Sequence, residues 1–360
     1  MHLSRDPLVS IVTPVYNGGI YLAECIESVL AQTYERWEYI IVNNCSNDDT
    51  AAIAAGYAAR DHRIRIFNNN VFLEMIANHN HALSTMSPAS KYCKVMSADD
   101  VIFPEFLMKM VQLAEAHPSV GIVGSYQLTG GGDGWGVRCT GLPYWRTVVS
   151  GREISRLYLL NGLNVFGAPT AHLYRGDLVR SSDAFFPNAR WEADISACIK
   201  HLQDSDFGFV HQILSYERRH IEQMTTTARS LDAYVSSQLS DVLEYGPCYL
   251  TEHELGKRVN EMLDEYYRYL AIAVVNGRNL KYWRWQKARL DDLGVRLSIG
   301  RLGLAVCKKV ADLLFNPKDT VNKLRRRWSH RLMPIQQGGW HGGTCSAGTR
   351  SCSTSDSTHV

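Results

Sequence analysis

Two adjacent aspartates, Asp99 and Asp100, stand where an apolar run ends and a helical pattern begins, in the stretch KVMSADDVIFPEFL (94–107). Paired carboxylates at the end of a buried strand are typical ligands of Mg²⁺ or Mn²⁺. Aspartate is equally typical of a helix N-cap, and Pro104 followed by Glu105 suits a first helical turn. This stretch alone therefore leaves a metal site and a helix cap as open interpretations.

The elements that would position this pair are readable before residue 130. Short β-rich runs at 8–15, 38–44, 63–69 and 91–97 alternate with helical patterns. This alternation predicts an α/β fold with a mostly parallel sheet flanked by helices. Ligands of such sheets bind at the carboxyl ends of the strands. That rule selects residues 14–17, Asn43 with Asn44, and the aspartate pair, and it favours the functional interpretation of the pair.

The second half of the chain carries fewer periodic signals. TGGGDGWG (129–136) indicates a glycine-rich loop, either a lid over a site or a surface loop. ARWEADISACIKHL (189–202) predicts an amphipathic helix, and DFGFVHQILSYERRH (206–220) predicts a long strand that ends in a basic cluster. After about residue 225 the pattern is helical, and from Trp340 a Gly, Ser and Thr composition predicts disorder.

These patterns predict a division of the chain into four parts. Residues 1–222 are predicted to form an α/β domain with two halves, 1–128 and 129–222. A helical extension at 223–295 is followed by a basic amphipathic segment at 296–333 and a disordered tail at 334–360.

Composition narrows the class of protein. No stretch is apolar enough for a transmembrane helix, and the start has no secretory pattern. Nine scattered cysteines without a Cys-x-x-Cys pair favour reduced thiols and a cytoplasmic protein. Residues 296–333 hold ten Lys or Arg against two Asp, whereas residues 1–295 are mildly acidic. This charge distribution favours a local surface contact over nucleic-acid binding.

Four motifs in order resemble those of family 2 glycosyltransferases, which are inverting enzymes with the GT-A fold. They are VTPVYN (12–17), VNNCSNDDT (42–50), NHAL (80–83) and SADDVIFP (97–104), and the similarity covers residues 8 to about 220. The resemblance implies transfer of a sugar from a nucleotide-diphosphate donor, a UDP-sugar foremost, to a glycan or lipid-linked acceptor. Bacterial surface polysaccharide synthesis is the expected context.

The resemblance also implies a donor site with a divalent cation, Mg²⁺ or Mn²⁺. The cation would offset the charge of the leaving diphosphate. Many relatives carry an acid where this chain has Ser97, so the acidic motif is reduced to the adjacent pair. The residues matched to the donor site are Pro14, Tyr16, Asn17, Asn43, Asn44, Asn80, Asp99 and Arg219, and those matched to the metal site are Asp99, Asp100 and His220.

The resemblance implies that residues 1–128 are the nucleotide-binding half and residues 129–222 the acceptor half, and the acceptor half is matched in the same way. An inverting transfer needs a general base near the acceptor hydroxyl. Glu192 best fits the position of that base, with Asp194 as the second candidate, although both acids also suit the first turn of a helix. Pro169 and Thr170 match the segment that lines the pocket between donor and acceptor.

Two questions stay open at this stage. The basic segment 296–333 predicts either peripheral contact with the anionic inner face of the cell membrane or a helix packed on the preceding bundle. A nucleotidyltransferase and a non-catalytic nucleotide- or carbohydrate-binding module are alternative functions. A nucleotidyltransferase would typically have a Gly-rich phosphate loop with Lys or Arg after the first strand. Gly18 and Gly19 follow the first strand with no Lys or Arg nearby, which disfavours this alternative.

Overall fold

The structure is a computed structural model that describes residues 6–131, 134–161, 163, 165–187, 192–220 and 230–315. In this part of the chain ten strands form one mixed sheet. The strands are β1 (Val9–Val15), β2 (Trp37–Asn43), β3 (Ile64–Asn68), β4 (Tyr92–Val95), β5 (Val101–Ile102), β6 (Val120–Gly131), β7 (Gly134–Arg138), β8 (Val148–Val149), β9 (His172–Arg175) and β10 (Asp206–Arg219).

The strands lie in the order β3-β2-β1-β4-β9-β6-β10-β5, with β7 beside β6 and β8 beside β10. Strands β3, β2, β1 and β4 run parallel, and so do β6 and β10. Strand β9 is antiparallel to both of its neighbours and joins the two parallel groups. The parallel strands place their carboxyl ends along one edge, as the sequence predicts.

Helices cover both faces of this sheet. The helices of the described residues are α1 (Leu22–Leu30), α2 (Thr50–Ala58), α3 (Met75–Ser84), α4 (Phe106–Ala116), α5 (Gly151–Asn161), α6 (Gly176–Arg180), α7 (Ala193–His201), α8 (Ala233–Tyr249), α9 (Glu252–Val275), α10 (Leu280–Asp292) and α11 (Ile299–Phe315). A 3₁₀ turn spans Pro169–Ala171. The prediction of an α/β fold with a helical C-terminal extension is confirmed.

Two apolar cores form because every residue of β1 is buried and its side chains alternate between the faces of the sheet. Val9 and Ile11 pack with apolar residues of α1 and α4, such as Ile26 and Phe106. Val12 lies in the other core, which also contains buried residues of α3, α5, α7, α8, α9 and α10. The helical extension therefore shares its core with the second half of the sheet.

Two predicted local structures differ from those observed. The glycine-rich stretch 129–136 is not simply a loop, because β6 extends to Gly131 and pairs antiparallel with β7 from Gly134 onward. The aspartate pair does not cap a helix. The short strand β5 follows Asp100, and Glu105 is the N-cap of α4. Helix capping therefore does not explain why Asp99 and Asp100 stand together at this position.

The chain divides into two compact units, Met1–Val306 and Cys307–Val360. The first contains the sheet and the helices through α10. The described part of the second is the end of α11, where Lys309 pairs with Asp312 at 2.9 Å. The predicted boundaries at 222 and 295 stay predictions, and residues 316–333 of the basic segment and all of the predicted tail lie outside the described residues. None of the described helices combines the length and the apolarity needed to span a bilayer.

Candidate active site

The loops after β1 and β2 are joined by hydrogen bonds between backbone and side chains. The N–H of Asn17 donates to Ser46 Oγ at 2.9 Å, and the N–H of Gly19 donates to Asp48 Oδ2 at 2.9 Å. Asn17 adopts a left-handed backbone (φ 51°), and its Oδ1 accepts from the N–H of Asn47 at 2.9 Å. These bonds hold residues 14–18 as one wall of a cavity.

The cavity has a volume of about 550 Å³ and lies at the carboxyl edge of the sheet. It brings together residues from both halves of the sheet. Nine of the predicted site residues line it: Pro14, Tyr16, Asn17, Asp99, Asp100, Pro169, Glu192, Asp194 and His220. The volume lies within the range typical of small-molecule sites.

Asp100 is buried, and both of its carboxylate oxygens have protein partners. Thr170 Oγ1 donates to Oδ2 at 2.5 Å, and the backbone N–H of Arg218 donates to Oδ1 at 3.1 Å. Burial, reinforced by the adjacent charge of Asp99, raises the pKa of the Asp100 carboxyl well above its usual value. Asp100 therefore joins three distant segments of the chain at one point.

Asp99 faces the cavity and contacts the end of β10. Its Oδ2 lies 3.0 Å from His220 Nε2. Arg218 Nε donates to the backbone oxygen of Asp99 at 3.1 Å, and its guanidinium also pairs with Glu24 of α1 at 2.5 Å. The Tyr21 ring packs against the His220 ring with centroids 5.1 Å apart. A carboxylate and an imidazole are thus placed side by side on the cavity wall.

Lys94 is a fully buried cation below this wall. From β4 its Nζ donates to the backbone oxygens of Thr170 at 2.5 Å and Pro169 at 3.2 Å, and it lies 4.5 Å from the centroid of the Phe106 ring. Burial lowers the pKa of Lys94 to about 7, although the charge of Asp100 works in the opposite direction. Lys94 therefore anchors the 3₁₀ turn that carries Pro169 into the cavity.

The two acids predicted for the acceptor half stand at the start of α7. Glu192 is the N-cap residue, and Asp194 lies in the first turn. Burial, with the charges of Asp194 and Asp241 added, raises the pKa of Glu192 to about 8. Burial raises the pKa of Asp194 to about 6. Glu192 Oε2 is buried without a hydrogen-bond partner among the described residues.

Sequence reasoning missed Arg138 and Glu217, which also line the cavity. Arg138 ends β7, Glu217 lies near the end of β10, and Arg138 Nη1 is 2.5 Å from Glu217 Oε1. The alternating pattern of GWGVR (134–138), with glycine at every second position before Arg138, is a strand signal that could have indicated this position.

The three asparagines predicted for the donor site lie outside the cavity lining. Asn44 is buried, and its amide bonds to Leu73 and Asn69. Asn43 donates to Asn68 at 2.9 Å. Asn80 exchanges two hydrogen bonds with the backbone of Phe186, at 2.8 and 2.9 Å, and Phe186 lines the cavity. In this structure these amides support the cavity wall, and their contact with a donor stays a prediction.

Arg219 and Thr170 also lie outside the lining, whereas Tyr16 lines the cavity at its mouth. Arg219 is exposed at the end of β10. Thr170 contacts Asp100 from behind the lining residue Pro169. Tyr16 is half exposed at the cavity mouth, and Phe72 meets it edge-on with ring centroids 5.0 Å apart. Phe72 was not predicted, and the two rings form an aromatic surface beside the cavity.

Known proteins are similar to this chain in sequence and in fold. The sequence profile of glycosyl transferase family 2 matches residues 10–181. The uncharacterized glycosyltransferase RP339 of Rickettsia prowazekii (strain Madrid E) is 30% identical over 225 residues, which are 62% of this chain and 67% of the relative. The chain belongs to glycosyl transferase family 2.

Solved structures agree on the fold. TarS 1–349 of S. aureus, in complex with UDP-GlcNAc, superposes with a TM-score of 0.59 at 17% identity, over 79% of this chain and 80% of that one. The mannosyltransferase PcManGT from Pyrobaculum calidifontis, in complex with GDP-Man and Mn²⁺, gives a TM-score of 0.53 at 15% identity, over 90% and 85% of the two chains. The GT-A fold expected from the motifs is confirmed.

The chain spans only part of several other relatives. For three curated relatives the match covers 22%, 48% and 38% of the relative's length. The chain therefore spans less than half the length of these three relatives.

The described residues contain no group of three or more His, Cys, Asp or Glu side chains that could hold a metal ion. Asp99 and His220 offer two donors side by side. Such a pair suits a cation that takes its other ligands from a bound diphosphate and water. The donor set therefore fits a shared cation, and the predicted participation of Asp100 stays a prediction.

The burial of Lys94 predicts a pH-dependent contribution to stability. Its folded pKa of about 7 lies below the usual value of 10.5, so the unfolded chain binds more protons between these values. The unfolding free energy of the wild type, relative to Lys94→Met, should therefore rise from pH 7 to pH 9 with a slope approaching 1.4 kcal/mol per pH unit, about the value of one titrating group. Urea denaturation at several pH values measures this difference.

The matched control is Lys91→Met, because Lys91 is half exposed and pairs with Glu115 at the surface. Its stability difference from the wild type should stay constant over the same range. If the stability difference between the wild type and Lys94→Met is also independent of pH, the pKa of Lys94 in the folded protein is not lowered by burial.

Proposed function

We propose that this protein is an inverting glycosyltransferase that moves a sugar from a nucleotide-diphosphate donor to a hydroxyl of a glycan or lipid-linked acceptor. The observation that carries the proposal is that one cavity contains both the Asp99–His220 pair and the two acids at the start of α7. An inverting transfer needs these two kinds of group on opposite sides of the reacting carbon.

The donor would occupy the wall made by the loops after β1 and β2. Tyr16 offers a half-exposed ring on which a base can stack. The two solved neighbours are complexes with UDP-GlcNAc and with GDP-Man, which are both sugar nucleotides. They support a sugar nucleotide as the donor, and we propose a UDP-sugar. Asn17 and Pro14 would hold the nucleoside against this wall.

Asp99 and His220 would hold a divalent cation, Mg²⁺ or Mn²⁺, together with the diphosphate of the donor. When bound, the cation offsets the negative charge that grows on the leaving diphosphate. The role of Asp100 is to fix the turn that presents Asp99, because its own oxygens are taken by Thr170 and Arg218.

Glu192 would act as the general base. Its Oε2 would accept the proton of the acceptor hydroxyl while the hydroxyl oxygen bonds to the anomeric carbon and the diphosphate leaves from the opposite face. This displacement inverts the configuration at that carbon. A pKa near 8 places the carboxylate close to the working pH, where a base combines sufficient ionisation with sufficient basicity.

The acceptor and the cellular location are further parts of the proposal. We propose a role in bacterial surface polysaccharide synthesis, in the cytoplasm, with peripheral contact to the inner face of the membrane. The end of α11 supports this contact because Lys308 and Lys309 stand beside the exposed apolar residues Val310, Leu314 and Phe315. A basic amphipathic helix of this kind binds anionic lipid surfaces.

The first prediction of this proposal concerns Asp99. Purified protein should release a nucleoside diphosphate from a donor in the presence of Mn²⁺ and an acceptor. Asp99→Ala should lower kcat at least about 100-fold, because the diphosphate charge loses its stabilisation. A coupled assay for UDP, GDP and dTDP over a donor panel measures the release. The control Asp291→Ala changes an exposed aspartate of α10 and should leave the rate unchanged.

Three outcomes separate the alternatives. Transfer of a nucleotidyl group, with pyrophosphate as the product, would assign a nucleotidyltransferase. Donor binding without turnover over the whole panel would assign a binding module. Full activity of Asp99→Ala would remove Asp99 from the donor site.

The second prediction separates Glu192 from Asp194 as the base. A base must be deprotonated, so kcat/KM should rise with pH up to the pKa of that group in the free enzyme. If Glu192 is the base, the rising limb should have its midpoint near pH 8, whereas a midpoint near pH 6 would indicate Asp194.

Glu192→Gln tests the same assignment by substitution. It should lower kcat by about 10²–10⁴-fold, the usual range for the loss of a general base, and calorimetry should show that donor binding is kept. Full turnover of Glu192→Gln would exclude it.

The third prediction concerns the membrane. The full-length protein should co-sediment with vesicles that contain phosphatidylserine and not with pure phosphatidylcholine. Reversing both charges in Lys308→Glu/Lys309→Glu should weaken this binding at least about tenfold, since each cation near the surface contributes about 1 kcal/mol. Lys257→Glu changes an exposed lysine of α9 and serves as the control. Equal binding by both variants would argue against contact through α11.

A further inference from the structure

Arg138 and Glu217 form an ion pair on the wall of the cavity, and the proposed reaction gives neither of them a role. Arg138 Nη1 donates to Glu217 Oε1 at 2.5 Å, and the two side chains are 29% and 14% exposed. The second carboxylate oxygen, Glu217 Oε2, is buried and has no hydrogen-bond partner among the described residues. Glu217 therefore holds the arginine with one oxygen and can accept a hydrogen bond from a ligand with the other.

Buried polar atoms that lack a partner are concentrated beside this pair. Gln127 of β6 is the register partner of Arg138 in β7 and of Ser215 in β10, and Thr129 is the register partner of Glu217. The side chains of Gln127, Thr129 and Ser215 are almost completely buried, and their polar atoms have no hydrogen-bond partner in the described part of the chain. Buried polar atoms cost free energy unless protein, water or a ligand bonds to them. This part of the wall therefore suits a ligand with several hydroxyl groups, bonded directly or through water.

Both members of the pair lie close to the groups that would carry out the reaction. Arg218 follows Glu217 in β10, and its Nε donates to the backbone oxygen of Asp99 at 3.1 Å. The charges of Glu217 and Arg138 act in opposite directions on the pKa of Asp194 at the start of α7. In a displacement the transferred sugar lies between the leaving diphosphate and the general base. The pair therefore borders the place where that sugar would lie.

The charges of the wall restrict which sugars can bind. The described residues that line the cavity include five Asp or Glu and a single Lys or Arg, Arg138, which is already paired with Glu217. A sugar that carries a carboxylate, such as a uronic acid, would add a negative charge beside acidic groups without a further Lys or Arg of this lining to offset it. A hydroxyl group can instead donate to a carboxylate and accept from a guanidinium.

We propose that the Arg138–Glu217 pair binds hydroxyl groups of the transferred sugar and that this sugar is uncharged. Glu217 Oε2 accepts from one hydroxyl, and the Arg138 guanidinium donates to an oxygen of the same sugar. The inference rests on the proposed function, because it takes a sugar nucleotide as the donor. It adds recognition of the sugar to the roles of Asp99 and Glu192 and makes the pair a determinant of donor specificity.

Calorimetric binding to the full-length protein with Mn²⁺ tests the inference without requiring turnover. The probes are UDP, three donors with an uncharged sugar (UDP-glucose, UDP-galactose and UDP-GlcNAc) and UDP-glucuronic acid, which differs from UDP-glucose in having a carboxylate at C6. The wild type should bind at least one uncharged donor about tenfold or more tightly than UDP, the usual effect of a hydrogen bond to a charged group. UDP-glucuronic acid should bind no more tightly than UDP.

Glu217→Gln should change the affinities of the two kinds of donor in opposite directions. It replaces a carboxylate by a neutral amide of the same size, so the uncharged donor should lose affinity and UDP-glucuronic acid should gain affinity, each by about tenfold. The affinity for UDP should stay unchanged, because UDP lacks the transferred sugar. The matched control is Glu153→Gln, since Glu153 pairs with Arg146 at the surface at 2.8 Å, and it should leave every affinity unchanged.

Arg138→Lys provides a second variant with a different expected pattern. It keeps the positive charge and loses the planar group that bonds to two partners at once. The uncharged donor should therefore bind more weakly, whereas UDP-glucuronic acid should bind as poorly as it does to the wild type. Circular dichroism checks that each variant is folded, and if one of them is not, the other variant and the wild-type comparison of the two kinds of donor still decide the outcome.

Monodeoxy analogues of the best uncharged donor identify the hydroxyl that Glu217 binds. The wild type should bind at least one of these analogues about tenfold more weakly than the parent donor. Glu217→Gln should bind that analogue and the parent with nearly equal affinity, because the lost hydroxyl no longer has its acceptor.

Three results would overturn the inference and leave the proposed function intact. The uncharged donor could keep its full advantage over UDP in both Glu217→Gln and Arg138→Lys, or have no advantage over UDP in the wild type. UDP-glucuronic acid could bind the wild type more tightly than every uncharged donor. Glu217→Gln could weaken UDP and all donors equally, which would assign the pair a structural role. Absence of binding of UDP and of every UDP-sugar to the wild type would instead overturn the proposed donor, and the inference with it.

Discussion

The buried carboxylate of Asp100 is the constraint on which the rest of the site depends. A carboxyl group enclosed in the protein must have hydrogen-bond partners, and Asp100 obtains them from Thr170 and from the backbone of Arg218. Three segments that are distant in sequence must therefore meet at the end of β4. These bonds fix Asp100 at this junction, and the carboxylate of its neighbour Asp99 lies in the cavity beside His220.

The cavity combines two electrostatic environments. On one side, Asp99 and His220 stand beside the loops that follow β1 and β2. On the other, the acids at the start of α7 are enclosed enough that their pKa values rise. The first environment suits a cation with a phosphate, and the second suits a proton acceptor. One sheet edge can support both because parallel strands from both halves of the chain end there.

The sequence predicted the parts of this site that follow from local pattern. Ligands of parallel sheets bind at the carboxyl ends of the strands, and this rule selected Pro14, Tyr16, Asn17 and Asp99, all of which line the cavity. The rule can be applied to sequence alone because a buried run followed by polar residues is a local pattern. Asn43 and Asn44 satisfy the same rule and yet point into the protein, since the rule does not specify which side chain faces solvent.

The residues that were missed depend on pairing between distant strands. Arg138 reaches the cavity only because β7 folds back on β6, and glycine-rich sequence is more typical of a loop than of such a hairpin. Glu217 depends on the register of β10, which is interrupted by bulges between Val210 and Ser215. Lys94 looks like a surface residue in sequence and is buried because β9 and the 3₁₀ turn cover it. Local periodicity contains no information on such long-range contacts.

We propose that a diphosphate and a divalent cation meet at Asp99. Anomalous diffraction from crystals soaked with MnCl₂ and UDP tests this most directly, because manganese is located independently of the protein atoms. We expect one strong peak in contact with the Asp99 carboxylate and with the diphosphate of the bound nucleotide. A nucleotide bound in the cavity with no manganese at Asp99, or manganese bound only elsewhere on the protein, would contradict it.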